Sequence, residues 1–173
     1  MNTNKKLKLV TISAIVIVVA LLATVITVNI LQKRQNSTDK QQAAYASAYQ
    51  QTNDFMVRNQ YDDAIERLNT YLKTNPSKDH KRSVYAQMAT IYANKEDYKT
   101  AIEWYQKAEA LGGKKHLDTA TGLAYAYQSL GDKDKAIEYF NLAIDLTKSS
   151  GDPMAKSDIE SYTNQIKQLE GQE

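Results

Sequence analysis

The 173-residue chain has no cysteine, only two histidines and almost no net charge outside its first few residues. The missing cysteine excludes disulfides, thiol chemistry and an acylated lipoprotein anchor. His80 and His116 have no partner at metal-ligand spacing, and both are expected to be solvated loop residues between helical units. No nucleophile elbow, phosphate loop or zincin motif occurs, and the carboxylates are scattered over polar helix faces. No catalytic residue, metal ligand or cofactor-binding residue can therefore be nominated, and the expectation is that the protein is not an enzyme. The formal net charge is +2, but Lys5, Lys6 and Lys8 precede a long apolar run. Removing them from the 22 basic residues leaves 19 against 20 acidic ones. That near-neutral, interspersed pattern is not a nucleic-acid surface.

The apolar run spans 9–31, from Leu9 to Leu31, and carries no charge. At about 1.5 Å per residue it reaches about 34 Å, enough for a hydrocarbon core of about 30 Å. Thr11, Ser13, Thr24 and Thr27 can return their hydroxyls to the helix backbone. The run exceeds the core of a secretory signal, and Ala20-Leu21-Leu22-Ala23 has the wrong spacing for cleavage, so an uncleaved single-pass anchor is expected. The lysines before the span and Lys33, Arg34 and Lys40 after it nearly balance. The short basic tail 1–8 favours a cytoplasmic N-terminus with the remainder outside, at the inner or plasma membrane of a bacterium. Residues 32–43 form a polar linker, read either as a loose tether or as a helical continuation of the span.

Three later stretches rhyme: Tyr61-Asp62-Asp63-Ala64-Ile65-Glu66, Tyr98-Lys99-Thr100-Ala101-Ile102-Glu103 and Lys133-Asp134-Lys135-Ala136-Ile137-Glu138. Ala64, Ala101 and Ala136 are 37 and 35 residues apart. Leu123, Ala124, Tyr127 and Leu130 follow helical spacing, as do Ala136, Ile137, Phe140, Ala143 and Ile144. Gly131-Asp132 separates two helices, and Gly112-Gly113 ends a unit. A period near 34 residues marks stacked helix pairs, each burying its apolar face on the next. After Gly151, Asp152 suits an N-cap and Pro153 a first helical position. Ala155, Ile159, Tyr162, Ile166 and Leu169 then form one apolar stripe, read as a capping helix over 152–173.

The pattern resembles the tetratricopeptide repeat (TPR) family. Ala64, Ala101 and Ala136 fill the place where the second helix crosses the first. Phe55, Tyr92 and Tyr127 supply the late aromatic of the first helix, with Thr52, Ala89 and Ala124 three residues before. Leu68, Tyr105 and Phe140, then Tyr71, Ala108 and Ala143, continue along the second helix, and Pro76 ends the first unit. Tyr71 and Lys133 depart from the pattern. The expectation is an all-α protein: one transmembrane helix, then a right-handed superhelical stack of three helix hairpins over 44–151 and a capping helix. The units fall at about 45–78, 82–115 and 117–150.

The resemblance further implies a concave groove for an extended peptide or a partner helix. Its facing residues would include Tyr49, Asn53, Met56, Gln87, Thr90, Asn94, Tyr125 and Gln128. Members that clamp a C-terminal carboxylate use lysine, asparagine and arginine there. This chain keeps Asn53 but has Tyr49, Gln87, Asp118 and Gly122 at the other clamp places, so the clamp is absent. The expected function is a membrane-tethered protein-binding adaptor in envelope assembly, secretion or translocon attachment. The alternatives are a self-associating scaffold and the noncatalytic subunit of a membrane enzyme.

Overall fold

The structure is a computed structural model that describes residues 3–112, 116–151 and 155–171, with the side chains of residues 3–16 and 18 left out. Seven helices and no strand occur among the described residues. They are α1 (Thr3–Val57), α2 (Tyr61–Leu72), α3 (Lys78–Asn94), α4 (Tyr98–Ala110), α5 (Leu117–Ser129), α6 (Lys133–Ser150) and α7 (Ala155–Glu170). The chain divides into two units, Met1–Ala44 and Tyr45–Glu173.

The first unit is helical throughout its described length. Of the two readings of 32–43, helical continuation is the one observed. The hydroxyls of Thr24 and Thr27 donate to the carbonyls of Leu21 and Ala23, at 2.7 and 2.8 Å. Nine large apolar side chains between Ile17 and Leu31 are exposed, each by 49–60%. Among the described residues no helix is long and apolar enough to cross a membrane. The side chains of residues 9–16 and 18 of the expected span, those of Thr11 and Ser13 among them, lie outside what is described.

The second unit is a stack of helix pairs. Small residues set its geometry: Ala64, Ala101 and Ala136 have no exposed surface, nor do Thr52, Ala89 and Ala124. Their lack of side-chain bulk lets neighbouring backbones approach, and large side chains fill the space on either side. Leu68, Tyr105 and Phe140 are buried there, as are Ala108 and Ala143. Tyr71, which departs from the repeat pattern, is also buried, at 2% exposure. The buried residues fall into two clusters, and Trp104 packs against both. The stripe of α7 closes the cluster that holds Phe140: Tyr162 and Leu169 are buried, and the Tyr162 ring stacks on Phe140 at 6.1 Å. One expected core position fails. Leu130 is 43% exposed, because α5 ends at Ser129 and the apolar stripe runs out into the turn. Asp152 and Pro153 lie outside the described residues, while Gly151 ends α6 in the left-handed region as expected.

The three turns inside the helix pairs share one design. The backbone N–H groups of Gln60, Asp97 and Asp132 donate to the carbonyls of Phe55, Tyr92 and Tyr127 at 2.8, 2.9 and 3.0 Å. The residues just before them, Asn59, Glu96 and Gly131, have φ of 58°, 61° and 79°. Their N–H groups donate to Met56, Ala93 and Gln128 at 3.0, 2.9 and 3.0 Å. This left-handed closure satisfies carbonyls that the helix end would leave open. Asp97 and Asp132 then cap the following helix by accepting from the N–H groups of Thr100 and Lys135, both at 3.2 Å. Glycine takes the left-handed position freely and asparagine tolerates it, but a glutamate Cβ meets the following carbonyl. Glu96→Gly is therefore expected to raise stability by about 0.5–1 kcal/mol, the relief of strain exceeding the added chain entropy. A rise in the chemical-denaturation midpoint at unchanged slope checks it; a fall would show that Glu96 is not strained.

Candidate functional site

The helical spacing of Tyr45, Tyr49, Asn53 and Met56 places them on one face of the last turns of α1. Ser83, Ala86, Gln87 and Thr90 form the matching face of α3. Together with Tyr105 of α4 and Asp118 of α5, these faces enclose a cavity of about 290 Å³. Five of the eight residues expected at a groove are thus brought together: Tyr49, Asn53, Met56, Gln87 and Thr90. The other three do not line this cavity. Asn94 is exposed at the end of α3. Tyr125 is 40% exposed, its ring meeting Phe140 edge-on at 5.1 Å. Gln128 is half-buried, and its amide donates to Gln165 of α7 at 2.9 Å, so the capping helix engages that end of α5.

The α1 wall is held by an aromatic stack that the sequence did not reveal. Tyr45 lies parallel to the His80 ring, with centroids 4.4 Å apart and 8° between planes. His80 Nδ1 is 2.9 Å from the Tyr71 hydroxyl. His80 is therefore not the solvated loop residue expected: it sits in the first turn of α3, half-buried between two tyrosines. Burial raises the Tyr71 phenol above its ordinary pKa, with a smaller contribution from Tyr45. His116 does precede a helix, α5, as an inter-unit residue. Among the described residues no group of three His, Cys, Asp or Glu is placed to hold a metal ion.

Tyr105 is the other residue that sequence reasoning assigned only to packing. It belongs to α4, yet its hydroxyl reaches the cavity floor, 3.1 Å from that of Thr90. Burial raises its pKa, and the bond with Thr90 partly offsets this. Gly122 makes the passage possible: a Cβ there would collide with the Tyr105 ring. A lone glycine inside a helical pattern is the signal that could have marked this close approach. Gly122→Ala gains helix propensity of about 1 kcal/mol but must displace a buried ring. The expected net result is a destabilisation of about 1–3 kcal/mol. Gly122→Ala combined with Tyr105→Phe should not recover it, whereas combination with Tyr105→Leu should, in part. A thermal melt of Gly122→Ala matching the parent would show that the ring moves freely.

A family model of the tetratricopeptide repeat matches residues 81–149. The match takes in 69 of the 173 residues. It runs from α3 into α6 and begins after the first expected unit. Over 90 residues the chain is 32% identical to the RNA polymerase-associated protein CTR9 of Caenorhabditis elegans, a match that takes in 51% of this chain and 7% of that protein. The chain thus spans a small part of that relative's length. Among solved structures it is similar to PcrH in complex with the chaperone binding region of PopD. There the TM-score is 0.61 and the identity 15%, over 72% of this chain and 90% of that one; PcrH is a protein of Pseudomonas aeruginosa. It is also similar to the second TPR domain of human RPAP3 in complex with an HSP70 peptide. That TM-score is 0.55 and the identity 19%, over 71% of this chain and 98% of that one. At these identities the likeness is one of fold, and the fold is all-α and TPR-like.

Proposed function

We propose that the protein is a membrane-tethered adaptor that holds a peptide segment or a partner helix in the cavity formed by α1, α3, α4 and α5. The observation that carries this reading is the convergence of Tyr49, Asn53, Met56, Gln87 and Thr90 on one open cavity. Two proteins of similar fold, PcrH and the second TPR domain of RPAP3, are in complex with the chaperone binding region of PopD and with an HSP70 peptide. Tyrosine offers large contact area at low entropic cost, and side-chain amides pair with an extended backbone. Tyr49 is 45% exposed, so its ring is available to a ligand and contributes little to the core. Replacing Tyr49 and Asn53 together by alanine should weaken partner capture by about 2 kcal/mol while leaving the melting temperature nearly unchanged. Affinity chromatography of the full chain from mild detergent, followed by binding titration, measures the first effect. Unaltered capture would remove this cavity from the interaction.

The tether reading rests on the uncharged run 9–31 and on the apolar side chains exposed around its described part. A helix that is apolar on all sides belongs in lipid or in a large core. The basic tail 1–8 would stay in the cytoplasm and the repeats would lie outside, in envelope assembly, secretion or attachment to the translocon. The full chain should then stay with membranes through alkaline carbonate extraction, with its N-terminus intact. Release into the supernatant, or a mature N-terminus near Ala23, would overturn the tether.

A further inference from the structure

We infer that the segment held in this cavity presents a basic side chain, lysine or arginine, to Asp118; the inference rests on the groove reading above. Asp118 is the one ionised group among the ten residues that line the cavity, and its side chain is 60% exposed. One carboxylate oxygen, Oδ1, accepts from the Thr119 N–H at 2.8 Å. The other, Oδ2, lies 3.8 Å from Arg82 Nη1, close enough to offset charge but too far for a hydrogen bond. Arg82 gives its Nη2 to Ser83 Oγ at 3.2 Å, while its Nη1 and Nε are buried with no hydrogen-bond partner among the described residues. An ionised carboxylate has about four lone-pair sites, so Oδ2 remains open to a donor from the ligand.

A second acceptor lies in the same cavity. The Gln87 amide nitrogen points to the Tyr45 hydroxyl at 3.4 Å. Gln87 Oε1 is buried, with no hydrogen-bond partner among the described residues. A buried acceptor left open costs free energy, which a ligand N–H restores. Three tyrosines, Tyr45, Tyr49 and Tyr105, share the cavity lining with these two residues. Aromatic faces attract ammonium and guanidinium groups, and more strongly once water is displaced. A ligand carboxylate would bring a third acceptor to a lining that already presents two, and would meet Asp118 with like charge. An aliphatic side chain would leave both oxygens unpaired. Lysine or arginine supplies several donors and a positive charge at once.

Selection of a randomised, displayed dodecapeptide library on the full chain in mild detergent tests this. The expected result is enrichment of peptides with lysine or arginine at one shared position. Asp118→Asn should lower the affinity of a selected peptide about tenfold, and replacing the peptide's basic residue by methionine should then cost Asp118→Asn little more. Circular dichroism melts confirm that Asp118→Asn folds. Should it not, Gln87→Leu provides the same comparison without touching α5, with a loss of similar size expected. Enriched peptides that lack a common basic residue, or that end in acidic residues, would overturn the inference and leave the groove reading standing. Failure to enrich any peptide whose binding depends on Tyr49 and Asn53 would overturn both.

Discussion

Close approach of helix backbones at small side chains is the contact on which the second unit depends. Ala64, Ala101 and Ala136 have no exposed surface, and Thr52, Ala89 and Ala124 are equally buried. A larger side chain at any of these places would push a helix pair apart, and the gaps filled by Leu68, Tyr105 and Phe140 would change shape with it. Thr52 departs from alanine at a cost: its hydroxyl is buried without a hydrogen-bond partner among the described residues. Such a group is a local weakness in a contact that otherwise holds only apolar atoms. The turns have to be equally tight for the contact to form. Each returns the backbone N–H of the N-cap residue to the carbonyl of the late aromatic, Phe55, Tyr92 or Tyr127. The same residue therefore fills the space beside the crossing with its ring and closes the turn with its backbone.

Repeats of this kind are legible in a sequence because their determinants are local and periodic. The register of Ala64, Ala101 and Ala136 could be read from spacing alone, and each of them is fully buried. The stripe Tyr162 to Leu169 was readable for the same reason. What was not readable depends on partners far along the chain. The ring that stacks on His80 is Tyr45, 35 residues earlier, and no periodicity connects them. Tyr71 breaks the repeat pattern because it has a task that alanine could not perform, reaching His80 with its hydroxyl. Leu130 fits the spacing of α5 but lies one residue past its end. Boundaries decide burial there, and boundaries are what a hydrophobic pattern fixes least well.

The groove residues divide along the same line. Tyr49, Asn53 and Met56 follow one another on a single helical face, so finding one locates the others. Gln128 shares the corresponding face of α5, but its amide is bonded to Gln165 of α7. The capping helix thus takes up a polar side chain of α5 as well as covering the last helix pair, a contact that its apolar stripe alone does not disclose. Tyr125 remains on the surface, with its ring against the edge of the core at Phe140. It is the position where surface and support are hardest to separate.

Gly122 joins the packing of the outer helices to the chemistry of the inner surface. By resemblance it stands at one of the places where clamp-bearing relatives project a side chain toward a ligand carboxylate. Here that side chain is absent, and the space above the glycine is filled by the ring of Tyr105 from α4. A side chain from the outer layer thereby supplies the floor of the cavity and presents a hydroxyl beside Thr90. Any residue larger than glycine would meet the ring, while glycine cannot reach a ligand itself. A groove floored by a phenol, walled by amides and tyrosines and edged by Asp118 opposes the charge preference of a carboxylate clamp. A side chain at this position and the Tyr105 ring cannot coexist, because each would take the same space.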